Sequence, residues 1–204
     1  MGRSDPHPGA GPRPVERRRR VALAGHRGDE TTARVALGDP DPEVRATALG
    51  ALQRMGRLEP STVETASSDR SAVVRQRAAD LATDPTILIA MLDDPDASVI
   101  EAACAALGEI GTLGRPGVPA LARVCGNHPD QRCREAAVAA LGAIGDPAAV
   151  PTILAALSDK PTVRRRAVIA LAPFGGPEID AALQRALEDR DWQVRQAAED
   201  LLAT

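Results

Sequence analysis

"EAACAALGEIG" (residues 101–111) and "EAAVAALGAIG" (residues 135–145) agree at nine of eleven positions across an offset of 34 residues. Carrying that register outward recovers "VRATALGALQRMG" (44–56), "VRRRAVIALAPFG" (163–175), "VRQAAEDLLAT" (194–204) and a weaker copy, "VVRQRAADLAT" (73–83). Steps between copies run from 25 to 34 residues. A period of that length marks units that cannot bury their own apolar face and must stack on neighbours.

Each unit reads as two helices. An acidic turn leads in, as in "GDPDPE", "DDPDAS", "NHPDQR" and "EDRDWQ", with Asp and Pro suited to N-cap and first-turn positions. In the first helix, Val163, Ala167, Val168 and Leu171 recur at helical spacing. Gly56, Gly111, Gly145 and Gly175 are expected to end these helices. The second helix shows best in Val150, Ile153, Leu154 and Leu157. The expected fold is therefore all-α, a right-handed α-solenoid of stacked helix pairs over residues 15–204, with five to six clear repeats after a divergent N-terminal cap repeat. In that cap, Arg19 and Arg20 stand where other units carry Ala and Val. At the other end the sequence closes at Thr204 after one helix, so the last unit is expected to lack its second. Residues 1–14, with four prolines and three glycines, read as a disordered tail.

The unit pattern of acidic turn, "D-x-x-x-V-R-x-x-A-x-x-A-L-G-x-I-G" and "P-A-A-V-P-x-L" resembles the HEAT-like repeats of the phycobilin-lyase subtype over roughly residues 30–204. The resemblance implies the fold. For function it implies only membership of a group that holds scaffolds, adaptors and a few enzymes.

Composition agrees with helices packed through small side chains. The chain has 204 residues, 44% of them hydrophobic, but only Trp192 and Phe174 are aromatic. The core is left to Ala, Leu, Val and Ile, two of which lead the helix propensity scale. Net charge is −3, which supplies no general attraction for nucleic acid. Residues 1–36 nevertheless carry eight Arg against four acids. Lys160 is the one lysine, a bias we attribute to a GC-rich, bacterial genome rather than to function. No apolar run reaches the ~18 residues of a membrane span, and nothing resembles a signal peptide, so a cytoplasmic setting without membrane contact is expected.

Four groups of residues invite a site. Cys125, His128 and Cys133 crowd into "CGNHPDQRC" and suggest three zinc ligands or a redox pair. In register, however, Cys133 takes the slot of Val99, Cys104 that of Val138 and Cys125 that of Leu157. Packing is thus the preferred reading, with no metal and no cofactor expected. Arg45, Arg75, Arg134, Arg164 and Arg195 recur after the acidic turns. They read as a structural ladder, each pairing with Asp41, Asp69, Asp130, Asp159 or Asp189, or with a neighbour's turn. The runs "ERRRR" (16–20) and "VRRR" (163–166) spread over different helix faces. Trp192 either lies over the preceding helix or anchors a partner, and packing is preferred.

Enzyme readings find little support in the residues. The His-Glu pairs by which deoxyhypusine hydroxylase holds iron have no counterpart at His7, His26 or His128. The cationic, aromatic face of HEAT-like DNA glycosylases is missing as well. A lyase-type chromophore-attachment activity stays open as an alternative, because that subtype has no transferable catalytic signature. A nucleic-acid role for the Arg-rich N-terminal segment is the other. The expected function is a non-catalytic scaffold or adaptor for another protein. Its concave second-helix face would offer Glu64, Arg123, Thr152, Gln184 and Arg185, with Trp192 a further contact.

Overall fold

A computed structural model describes residues 12–203. Residues 1–11, most of the expected tail, lie outside the described residues, as does Thr204. The first helix begins at Pro14. Among the described residues there are thirteen α-helices, two short 3-10 segments and no strand.

The chain divides into two compact units, Met1–Ala78 and Ala79–Thr204. The first contains α1 (Pro14–Arg27), α2 (Glu30–Ala36), α3 (Pro42–Arg54), α4 (Pro60–Ser67) and most of α5 (Ala72–Leu81). Here α1 packs on α3, with α2 against both. Val21, Ala33, Ala36, Val44, Ala48 and Leu52 form its core. The second unit contains α6 (Pro85–Met91), α7 (Ala97–Glu109), α8 (Val118–Asn127), α9 (Gln131–Ile144), α10 (Val150–Ala156), α11 (Pro161–Ala170), α12 (Pro177–Ala186) and α13 (Trp192–Leu202). First helices stack on first helices, α7 on α9, α9 on α11 and α11 on α13, while α8, α10 and α12 form the second row.

Three sequence devices produce this order. Asp41, Asp84, Asp96, Asp130 and Asp191 cap their helices, each side chain accepting a first-turn backbone N–H. Such a cap stabilises a helix by about 1 kcal/mol. Leucines supply the bulk: Leu49, Leu107, Leu121, Leu141 and Leu171 are at most 1% exposed. Two glycines, Gly142 in "A-L-G" and Gly25 in the cap repeat, let first helices approach closely. A methyl placed on Gly142 would meet the Cα of Ala170 at 2.7 Å, and one on Gly25 the Cα of Ala51 at 2.9 Å. Helix backbones touch at these points, so only glycine fits.

One helix end departs from the sequence reading. α11 stops at Ala170, and the left-handed glycine that follows is Gly176, at φ 122°, rather than Gly175. Pro173 explains the early stop, because it lacks the N–H that would continue the ladder and disfavours helical geometry in the residue before it. Gly145, by contrast, closes α9 at φ 66°, its N–H donating to the Leu141 carbonyl.

Candidate functional site

The acidic turns work through two separate positions. Where the second position is acidic, at 41, 96, 130 and 191, that acid caps the following helix. The first acid, or its replacement, sits at 39, 69, 94, 128, 159 and 189, and those at 39, 69, 159 and 189 each bind the fourth residue of a first helix. Arg45 on α3 places Nε and Nη2 at 2.9 and 2.7 Å from the two carboxylate oxygens of Asp69. Its Nη1 donates to the carbonyls of Asp39 and Pro40 at 2.8 and 3.2 Å. Arg134 grips Asp159 in the same way at 2.7 Å for both bonds, and Arg164 grips Asp189 at 2.8 and 2.7 Å. A bidentate guanidinium fixes both the distance and the rotation between successive pairs.

The partner of Arg45, Arg134 and Arg164 is thus the acid of the next turn. Asp41 and Asp130, included among the expected partners, cap helices instead, and Asp130 also binds Arg132 at 2.8 Å. Arg75 and Arg195 each donate Nη1 to the carbonyl oxygen of their own turn, Asp69 and Asp189, at 2.9 and 2.7 Å. The ladder also holds a member that sequence reasoning missed. Arg17 is the fourth residue of α1 and binds Asp39 through Nε and Nη2 at 2.8 and 2.9 Å. The signal was its distance from Pro14, which matches that of Arg45 from Pro42; Glu16 in the usual Val slot obscured it. Arg18 binds Glu43 at 3.4 Å, so two of the arginines in "ERRRR" are held within the unit. The guanidinium beside each of Asp39, Asp159 and Asp189 holds its carboxyl below the usual range, with burial opposing the effect.

At one step both halves of a rung are replaced. α7 carries Ile100 at its fourth position, and the facing turn carries His128 in place of the acid. Ile100 is 3% exposed, so a carboxylate at position 128 would face a hydrocarbon wall. His128 keeps the turn intact, because its Nδ1 accepts the Asp130 N–H at 3.1 Å, as the Asp94 carboxylate accepts the Asp96 N–H.

The three cysteines are free and buried. Cys133 lies with its Sγ 3.6 Å from the Ala97 carbonyl oxygen. Burial pushes the Cys125 and Cys133 thiols each up to about 11, and pushes Cys104 up further. Cys125, His128 and Cys133 do not converge: among the described residues no three His, Cys, Asp or Glu side chains are placed to hold a metal ion.

The second helices present the remaining candidates. Glu64 on α4, Arg123 on α8 and Gln184 on α12 fall in one slot, five residues before the first position of the next turn. The same slot holds Arg34, Ile89 and Leu154 in the other pairs. Every occupant is at least partly exposed. Arg123 bonds Asp93 at 2.7 Å, an exposed pair worth no more than ~1 kcal/mol. Thr152 lines a cleft of about 580 Å³ between α8 and α10, floored by Ala122, Gly126 and Ala155. Arg185 lines a second cleft, between α10 and α12. Glu64 belongs to the first unit and the others to the second. Trp192 stands apart from them. It is the first residue of α13 and meets α11 across the first-helix face, beside Ile169. Its ring is 64% exposed and buries little against that helix, contrary to the packing preferred from the sequence.

Stacked helix pairs held by such rungs define an α-solenoid. The profile of HEAT repeats matches residues 85–172 and again 151–203, more than half of the sequence, and the chain belongs to the HEAT-repeat family. No curated protein matches it. Among solved structures it is similar to a designed armadillo repeat protein, at 18% identity and TM-score 0.61, covering 84% of this chain and 97% of that one. A second designed armadillo repeat protein, in complex with the peptide (KR)4, matches at 16% identity and TM-score 0.60, covering 92% and 97%. Human deoxyhypusine hydroxylase matches at 23% identity and TM-score 0.51, covering 93% of this chain and 78% of that one. Likeness at these identities shows the fold alone. Among the described residues no helix is long and apolar enough to cross a membrane.

Proposed function

We propose that this protein is a non-catalytic scaffold that binds another protein through its second-helix face. The observation that carries the reading is the variable slot on that face. Its neighbours Val63, Ala66, Leu121, Val124, Leu183 and Ala186 are buried, whereas the slot itself is solvent-accessible in every pair. Its occupants in chain order, Arg34, Glu64, Ile89, Arg123, Leu154 and Gln184, are cationic, acidic, apolar, cationic, apolar and neutral polar. A repeat that holds its frame constant and varies one accessible position reads a partner unit by unit. The designed armadillo protein bound to (KR)4 supports the reading, since a related stack of helices accommodates a peptide. The finer resemblance to the phycobilin-lyase subtype and a cytoplasmic setting remain part of this proposal.

The test is comparative capture from the native cell with the wild-type chain and with Arg123→Glu/Arg185→Glu as baits, each with and without nuclease. The reading expects a stable protein partner that resists nuclease and is lost with the variant. Unchanged capture by the variant sinks it. Capture that disappears on nuclease treatment transfers the function to nucleic acid.

A further inference from the structure

The first-helix face of the second unit carries a surface that the second-helix reading does not use. A crevice of about 540 Å³ runs between α9 and α11, walled by Ala139, Gly142, Ala143 and Pro173. A second, of about 320 Å³, runs between α11 and α13 beside Trp192 and Leu201. Ile169 and Ala172 line both, so the two crevices join into one apolar groove. Trp192 and Ile169, at 64% and 39% exposed, are the large apolar side chains on its surface.

Its arginines are under-satisfied, although Glu135 and Asp200 balance them in formal charge. Arg166 crosses the α9–α11 crevice to Glu135, with Nη2 at a long 3.4 Å, and its Nε is buried without an acceptor. A buried N–H left unpaired is costly, so the Arg166 side chain is not settled in its present contacts. Arg165 lines the α11–α13 crevice, is exposed, and has no ion pair or hydrogen bond among the described residues. The acid on the opposite wall, Asp200, is engaged by the Gln196 amide at 2.9 Å.

We propose that this groove docks an acidic amphipathic helix of a partner protein, its apolar stripe against Ile169 and Trp192 and its carboxylates on Arg165 and Arg166. The shape favours a helix, because small residues at Ala139, Ala143 and Ala172 let a helical backbone lie close in the trough between two others. The unfilled donors select an acidic one, since Arg165 has no partner and Arg166 Nε no acceptor among the described residues. Trp192 is the kind of exposed aromatic that anchors such contacts.

Trp192 is the sole tryptophan and the chain has no tyrosine, so its fluorescence reports on this groove alone. The full-length protein is titrated with two synthetic helical peptides sharing one leucine stripe, flanked by glutamates in one and by lysines in the other. The proposal expects a saturable blue shift of Trp192 with the glutamate peptide and binding at least about tenfold weaker for the lysine peptide. Arg165→Glu, at an exposed position, should abolish or invert that preference, and Ile169→Asp should remove binding while the far-ultraviolet circular dichroism stays native. Equal binding of both peptides, no saturable shift, or an unaltered preference in Arg165→Glu overturns it. A shift that follows protein concentration alone, together with dimerisation in sedimentation, also overturns it and gives the groove to a second copy.

Discussion

Completing the missing rung is the sharpest test of the ladder. Ile100→Arg alone places a guanidinium in a slot where the present residue is 3% exposed and the facing residue is His128. Its Nη1 gains the carbonyl oxygen of residue 94, as Arg164 uses that of Asp159, but Nε and Nη2 find no carboxylate. Leaving a buried charge without its partner costs about 3–5 kcal/mol. His128→Asp alone costs about 1 kcal/mol: its carboxylate keeps the Asp130 N–H but faces hydrocarbon. The double variant restores two charge-assisted bonds of the kind that join Arg164 to Asp189 at 2.8 and 2.7 Å. At about 1.5 kcal/mol each, after screening at a partly exposed turn, they yield a coupling of about 2–3 kcal/mol. Urea unfolding of the wild type, both single variants and the double variant measures it, with an unchanged m-value showing that the unfolded reference has not moved. Coupling below about 0.5 kcal/mol, the level of independent sites, would refute the register on which the ladder rests.

Three further outcomes follow from the same geometry. Gly142→Ala should destabilise by about 1–2 kcal/mol, because the clash with Ala170 exceeds the ~1 kcal/mol gain in helix propensity. Gly126→Ala, where nothing lies within 4 Å, should stabilise by up to about 1 kcal/mol; thermal melts showing the same sign for both would contradict the packing described. The carboxyls of Asp39, Asp159 and Asp189 are held below their unfolded value, so their contribution is complete above that value and is lost as pH falls through the folded one. Stability should therefore drop from about pH 4 downward, and Asp189→Asn should flatten that acid limb in pH-dependent denaturation. Finally, with Cys125 and Cys133 pushed up to about 11, iodoacetamide at neutral pH should label the native protein slowly and the urea-unfolded protein quickly. Rapid native labelling of Cys133, read by peptide mass mapping, would count against its burial.

Helix pairing was legible in the sequence because its causes are local. Asp before the first turn, Pro within it and apolar residues at helical spacing state where a helix starts and which side it buries. Arg17 shows where legibility ends. Its neighbour Glu16 breaks the Val-Arg pair and hides the matching spacing from Pro14, and the contact with Asp39, beyond α2, places it on the ladder. Trp192 shows a second limit: no periodicity in one chain says whether a ring at a helix start finds a surface large enough to cover it.

The repeat and its all-helical class belong to the sequence by itself, since period and capping follow from the order of residues within each unit; the accessible slot shared by Leu154 and Gln184 came from the structure. The tertiary structure alone decided which acid Arg17, Arg45, Arg134 and Arg164 hold and why position 142 needs its glycine. These depend on which atoms of neighbouring units come within bonding distance, and that distance is set by the packing of backbones rather than by position along the chain.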